Sequence, residues 1–290
     1  MKIAIITIYY PSDNVKTNIK QLISQFDKVF VCDNTPQISN KAYYDDMGNN
    51  LYYIWFNHNK GLSEAFNYVL KNNYNNFNDD DFVFFFDQDS YIQNNHVDLM
   101  IKEYTAFEEK GYDIGCFGPV YFNTSSNSIE IPKSKKKISE NSYSVKSIIT
   151  SSMCCKYSNL KCIDFWNESV FLDMADWDLS WRFIKKNKLC VISNVVVMNH
   201  SLGIGEKKIL GFIKLRQGVP IREYYQTRDC LYLLREKYVP LKFRIRFILM
   251  LTVRPIIHLI FLDSKLNRLK YICMGFVDYL KKVKGVFPNN

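Results

Sequence analysis

Five consecutive apolar residues, Phe82–Phe86, run directly into Asp87, Gln88, Asp89 and Ser90, and this stretch constrains the fold more than any other. An unbroken apolar run of that length suits a strand buried on both faces, the kind found where helices cover both sides of a sheet. Carboxylates that follow such a strand stand at its carboxyl end, outside which open α/β sheets bind their ligands. Asp87 and Asp89 repel each other unless a cation lies between them, and an all-oxygen ligand set suits Mg2+ or Mn2+. Asp-x-Asp pairs also occur in plain surface turns, so the surrounding elements must decide between the two readings.

Those elements alternate. Lys2–Tyr9 reads as a strand stopped by Pro11, and Val15–Phe26 spaces its apolar residues helically. Val29–Cys32 is a second strand, closed by the turn sequence Asp33-Asn34-Thr35-Pro36. Leu51–Phe56 is a third, followed by Asn57–Gly61 and a helix from Leu62 to about Lys71, before the fourth strand at Phe82. This order predicts an α/β fold with a mostly parallel central sheet flanked by helices. Lys71–Asp81 reads as an Asn-rich surface connection, and Asn123–Ser144 as a flexible loop. A hydrophobic content of 47% over 290 residues excludes a disordered chain. The eight cysteines are scattered without metal-site spacing and read as reduced, buried thiols. The amino terminus lacks the order of a signal peptide, so a cytoplasmic protein is expected.

Charge is divided unevenly. Residues 206–290 hold 18 Lys and Arg against 6 Asp and Glu, whereas residues 1–205 hold 20 against 23. The basic part is also rich in large apolar residues, as in Phe243–Leu262, but Arg244, Arg246, Arg254 and Pro255 make that run a poor transmembrane span. Helices lying in a membrane interface fit this composition, with a helical bundle bearing a solvated basic face as the alternative. No nucleic-acid motif accompanies the charge. The expected organisation is a catalytic domain over residues 1–238 and a basic, apolar helical extension over residues 239–290.

Collinear motifs sharpen the functional reading. Thr7 in the first strand is followed by Asp33-Asn34, by Asn57, Asn59, Gly61, Ala65 and Asn67 in the pattern N-x-N-x-G-x-x-x-A-x-N, and by DQDS. Then come Thr150-Ser151-Ser152, the acidic cluster Leu172–Arg182, His200-Ser201-Leu202-Gly203, and Arg222 to Arg228 in the pattern R-x-Y-Y-x-x-R. In this order the chain resembles the family 2 glycosyltransferases of the glycosyltransferase-A fold, and DQDS resembles their rhamnosyltransferase branch. It departs from them at Ser152, where many relatives have Gly, and at Asp229, where Asn is usual.

The resemblance implies an inverting transferase that moves a sugar from a nucleoside diphosphate to a hydroxyl of a lipid-linked or polysaccharide glycan. L-rhamnose from dTDP-rhamnose is the implied donor, with a UDP-hexose donor or a nucleotidyltransferase as alternatives. The latter is disfavoured because no Gly-rich phosphate loop follows the first strand. The resemblance further implies that Thr7, Asp33, Asn59, Gly61, Asn67, Asp87, Gln88, Ser152, Arg222 and Arg228 bind the nucleotide sugar. Asp89 and His200 are then the ligands of a divalent metal (Mg2+ or Mn2+), which would neutralise the leaving diphosphate. The general base is expected at Asp176, with Asp178 and then Asp173 as the other candidates, and Arg182 is expected to orient one of these carboxylates. The site of action would be peripheral, at the inner face of the cell membrane, and a homo-oligomer stays open.

Overall fold

The structure, a computed structural model, describes residues 1–123, 127–132, 135–200, 206–209, 213–216 and 218–287. For Asn123, Glu130, Asn199, His200, 206–209 and 213–216 it describes the backbone alone. The chain divides into two compact units, Met1–Asn167 with Ala175–Ser201, and Glu168–Met174 with Leu202–Asn290.

The first unit follows the alternation read from the sequence: β1 (Lys2–Ile8), α1 (Asp13–Gln25), β2 (Lys28–Asp33), β3 (Leu51–Trp55), α2 (Gly61–Asn72), β4 (Phe82–Asp87) and α3 (His96–Glu109). β5 (Ile114–Asn123) comes next, then the short strands β6 (Ser128–Glu130), β7 (Lys136–Lys137) and β8 (Ser142–Val145). β9 (Met153–Lys156), α4 (Tyr157–Cys162), α5 (Ala175–Lys185) and β10 (Leu189–His200) complete it. The sheet runs β3-β2-β1-β4-β9-β5-β10-β8-β7, with β6 paired to β5. Its first four strands are parallel, as are β5 and β10, while β9 lies antiparallel between β4 and β5.

Alternation along β1 and β4 explains why their apolar runs are unbroken. Ala4, Ile6, Ile8, Phe84 and Phe86 share one core with Val15, Ile19 and Leu22 of α1 and Val97, Met100 and Tyr104 of α3. Phe85, of opposite parity, packs instead against Phe66 of α2 and Trp166, at ring distances of 4.8 and 4.9 Å. Each face of the strand therefore meets its own cover. The stretch expected to be a flexible loop departs from expectation, because β6, β7 and β8 within it pair with neighbouring strands. Pairing partners supply what the local sequence lacks.

In the second unit the hairpin β11 (Glu206–Ile209) and β12 (Ile213–Arg216) precedes α6 (Arg222–Arg235), α7 (Leu241–Phe261) and α8 (Lys265–Leu280). α6 and α8 touch backbone to backbone: a Cβ on Gly275 would lie 2.6 Å from the Tyr224 carbonyl oxygen. The Tyr224 hydroxyl donates to Asp278 at 2.8 Å, and Phe171, Tyr224, Tyr225 and Phe287 form a small core. The boundary expected after residue 238 thus falls inside a compact unit, because α6 packs on the helices beyond it. Among the described residues, no helix is long and apolar enough to cross a membrane.

Candidate active site

Parallel register brings the strand ends to one level. Ile8 lies opposite Asp33, Asp33 opposite Trp55, and Thr7 opposite Asp87. β2 and β3 lie on one side of β1 and β4 on the other, so the order of the sheet reverses between β1 and β4, where ligand crevices of open α/β sheets form. Gln88 spans that point: its side-chain oxygen accepts the Tyr9 N–H at 2.8 Å, and its carbonyl accepts Asn18 Nδ2 at 2.9 Å. Beside it, Asp89 is exposed and lines a cavity of about 440 Å3 with Asn14, Thr17, Asn18 and Tyr91.

Asp33 is fully buried and holds three donors. Oδ1 accepts the Thr35 N–H at 2.8 Å, while Oδ2 accepts Asn40 Nδ2 at 2.8 Å and the Tyr53 hydroxyl at 2.6 Å. Burial and the bond to Asp33 together hold the Tyr53 phenol well above its ordinary range. The neighbouring Asn34 accepts the Lys60 N–H at 2.9 Å and donates to the Gly61 carbonyl at 3.2 Å, joining the turn after β2 to the start of α2. Asn59 accepts the Gly61 N–H at 2.9 Å, and Gly61 turns at φ +71°, a conformation that favours glycine. Asn67 departs from the expected binding role. It is buried and exchanges two 2.9 Å bonds with the Trp166 backbone, which fastens a loop to α2.

At the end of β4, Asp87 Oδ2 accepts the Ser151 hydroxyl at 2.8 Å. Burial pushes the Asp87 carboxyl up to about 6; the Ser151 bond pulls it down and the Asp89 charge raises it. The Ser151 carbonyl in turn accepts the Tyr121 hydroxyl at 2.8 Å. The Tyr121 phenol is itself held above its ordinary range, first by burial and then by the charges of Asp176 and Asp87. Tyr121 is therefore within electrostatic reach of both carboxylates. Ser152, fully buried, adopts φ +61°, donates its N–H to the Phe85 carbonyl at 2.8 Å, and places its hydroxyl 2.6 Å from His96 Nε2.

α5 begins inside the acidic cluster, with Asp176 and Asp178 in its first turn, where carboxylates suit the helix dipole. Asp176 is half-buried and accepts the Trp177 N–H at 2.8 Å. Asp178 is fully buried, takes a 2.8 Å bond from Arg182 Nε, and takes a longer one from Asn167. Arg182 also donates to the carbonyls of Ile163 and Phe165, at 2.7 and 2.6 Å. In the second unit, Asp173 accepts Arg222 at 2.5 Å and Gln226 at 2.7 Å. Arg228, expected to reach a diphosphate, is instead fully buried against Asp229, the Tyr224 hydroxyl and the Gly285 carbonyl. Its guanidinium serves the packing of its own unit. His200 ends β10, and its side chain lies outside the described residues, as do Ser201, Leu202 and Gly203.

Tyr53, Asn40 and Tyr121 lie among these groups without having been singled out from the sequence, whereas Ser151 stood in one of the collinear motifs. Only Tyr121 left a local trace, a polar-tipped aromatic near the carboxyl end of an apolar strand. The donor set fits a divalent cation in one way. Asp87 and Asp89 supply oxygens, and the charge of one already lifts the carboxyl of the other, a repulsion that a cation would relieve. Among the described residues no group of three His, Cys, Asp or Glu could hold an ion alone, so the remaining ligands would be substrate oxygens and water, the usual arrangement for Mg2+.

The fold is that of several solved glycosyltransferases. A structure of GalNAc-T7 with UDP, GalNAc and Mn2+ superposes with a TM-score of 0.54 at 8% identity, covering 98% of this chain and 56% of that one. S. aureus TarS residues 1–349 in complex with UDP-GlcNAc gives a TM-score of 0.53 at 16% identity, covering 98% of this chain and 82% of that one. Among curated proteins, the dTDP-rhamnosyl transferase RfbF of Shigella flexneri is 26% identical over 98% of this chain and 95% of its own length. β2, β3 and β4 with Asp33, Asp87 and Asp89 lie in residues 3–160, and this segment, just over half of the chain, matches the model for glycosyl transferase family 2, which makes the protein a glycosyltransferase of that family.

Proposed function

We propose that the chain is an inverting, metal-dependent glycosyltransferase that moves L-rhamnose from dTDP-rhamnose to a hydroxyl of a lipid-linked or polysaccharide glycan. The observation that carries this reading is Asp87 and Asp89 at the carboxyl end of β4, next to the point where the order of the sheet reverses. The donor assignment is supported by the full-length similarity to a dTDP-rhamnosyl transferase.

In this reading the thymine base docks at Asp33, which three donors already hold in place and whose Oδ1, with one donor, has acceptor capacity left. Thr7, Asn59, Gly61, Gln88 and Ser152 shape the rest of the crevice. Asp89, with Asp87, holds the cation, which when bound supplies positive charge to the departing diphosphate. Asp176 takes the proton from the acceptor hydroxyl as that oxygen attacks the anomeric carbon on the face opposite the diphosphate. Asp178 and Arg182 position the turn from which Asp176 projects. The test is the melting temperature and turnover of the full chain with dTDP-rhamnose, UDP-glucose and UDP-N-acetylglucosamine, each with and without Mn2+. dTDP-rhamnose should give the largest Mn2+-dependent stabilisation. A larger response to a UDP-hexose would overturn the donor, and silence with all three would overturn the crevice as a nucleotide-sugar site.

A further inference from the structure

α7 is amphipathic with its faces exchanged. Two of its cations turn inward: Arg244 donates to the carbonyls of Glu236 and Val239, and Arg254 donates to His258, which is buried 2.5 Å from Glu223 of α6, whereas Lys242 and Arg246 stay exposed. Its aliphatic side chains turn outward. Ile245, Ile248, Leu249, Val253, Ile256 and Ile260 are each 46–59% exposed, and their spacing of three, one, four, three and four residues makes one continuous stripe. The single hydroxyl on that side, Thr252, bonds back to the Ile248 carbonyl. A helix in water does the reverse, so this stripe faces something other than water.

The charges choose the partner. α7 contains Lys242, Arg244, Arg246 and Arg254 and no acidic residue at all. A second copy laid on the stripe would bring like charges together, whereas anionic head groups complement them. We propose that α7 lies in the plane of an anionic bilayer, with Ile245, Leu249, Ile256 and Ile260 among the acyl chains and Lys242 at the head groups. The composition suits lying rather than crossing, since Arg254 and Pro255 interrupt the apolar run and the helix is too polar to span. This surface is independent of the donor assignment.

The test uses the full chain and sedimentation with vesicles of phosphatidylcholine alone or in equimolar mixture with phosphatidylglycerol. Binding is expected to the mixed vesicles at low ionic strength. The double variant Leu249→Glu/Ile256→Glu should lose roughly a hundredfold in partitioning while keeping its melting temperature, because both side chains are exposed. Lys242→Ala should lose about fivefold. In Leu249→Trp, the new indole should shift to the blue on adding mixed vesicles. Two outcomes overturn the proposal: a full chain that ignores mixed vesicles at low ionic strength, or a dimer by light scattering that the double variant splits while vesicle binding persists, which would assign the stripe to a second copy.

Discussion

Arg182 Nε lies 2.8 Å from an Asp178 oxygen one turn along α5, and both side chains are withdrawn from solvent. This buried pair separates Asp178 from its neighbour Asp176. Arg182 also anchors the loop at Ile163–Phe165 through two carbonyls, so the pair is built into the packing and is difficult to replace. Asp176 is half-buried, its charge helps to raise the Tyr121 phenol, and it is the carboxylate proposed above as the base.

The two should separate on substitution. Asp176→Asn should lower turnover by roughly two to four orders of magnitude with donor affinity and melting temperature little changed. Asp178→Asn should destabilise the fold by about 3–5 kcal/mol, because Arg182 is left buried beside a neutral group. Turnover and thermal unfolding of both variants check this; a stable Asp178→Asn enzyme with that turnover loss would reverse the assignment.

Asp89 is exposed and contributes little to packing, so Asp89→Ala should fold normally. If it holds the cation, the variant should lose most turnover, and Mn2+ should no longer tighten nucleotide binding measured by calorimetry. Full wild-type turnover in excess chelator would contradict metal dependence.

His96 predicts an acid-labile fold. Burial lowers its imidazole to about 4 from an ordinary value of 6.5, in keeping with its place at the positive end of α3. Between these values the unfolded chain binds a proton that the native chain refuses. Stability is therefore complete above about pH 6.5 and falls as pH falls toward 4, by about 3 kcal/mol from this residue. In urea unfolding across that range, His96→Gln should show a correspondingly shallower pH dependence than the wild type.

Gly275→Ala should destabilise the second unit by about 1–3 kcal/mol, since its Cβ would press on the Tyr224 carbonyl and neither backbone can yield cheaply. A melt unchanged within error would mean that α6 and α8 can separate without loss.

What the sequence disclosed and what it hid follow from range. β1 to β4 and their helices were readable within a residue or two, because each is written in a contiguous apolar pattern. β5 was not, since Gly115, Gly118 and Pro119 interrupt it. Their reasons lie elsewhere in the chain: Gly115 makes room for Phe183, and Pro119 sits where the register with β10 shifts. The carboxylates at strand ends were legible from position alone. Their partners were not, because Tyr53 reaches Asp33 across 20 residues and Ser151 reaches Asp87 across 64. Arg228 shows the opposite error, since a cation in a motif looks like a ligand until its burial is known.

Ser152 has one more consequence. A left-handed backbone costs a serine on the order of 1 kcal/mol relative to glycine, and the 2.6 Å contact with His96 offsets it. Replace Ser152 by Gly and the imidazole nitrogen is stranded in the interior; replace His96 by an apolar residue and the hydroxyl is stranded instead. Each single step descends into a valley that only the second step leaves. Two positions 56 residues apart are thus coupled, and the double substitution should cost less than the sum of the two single ones.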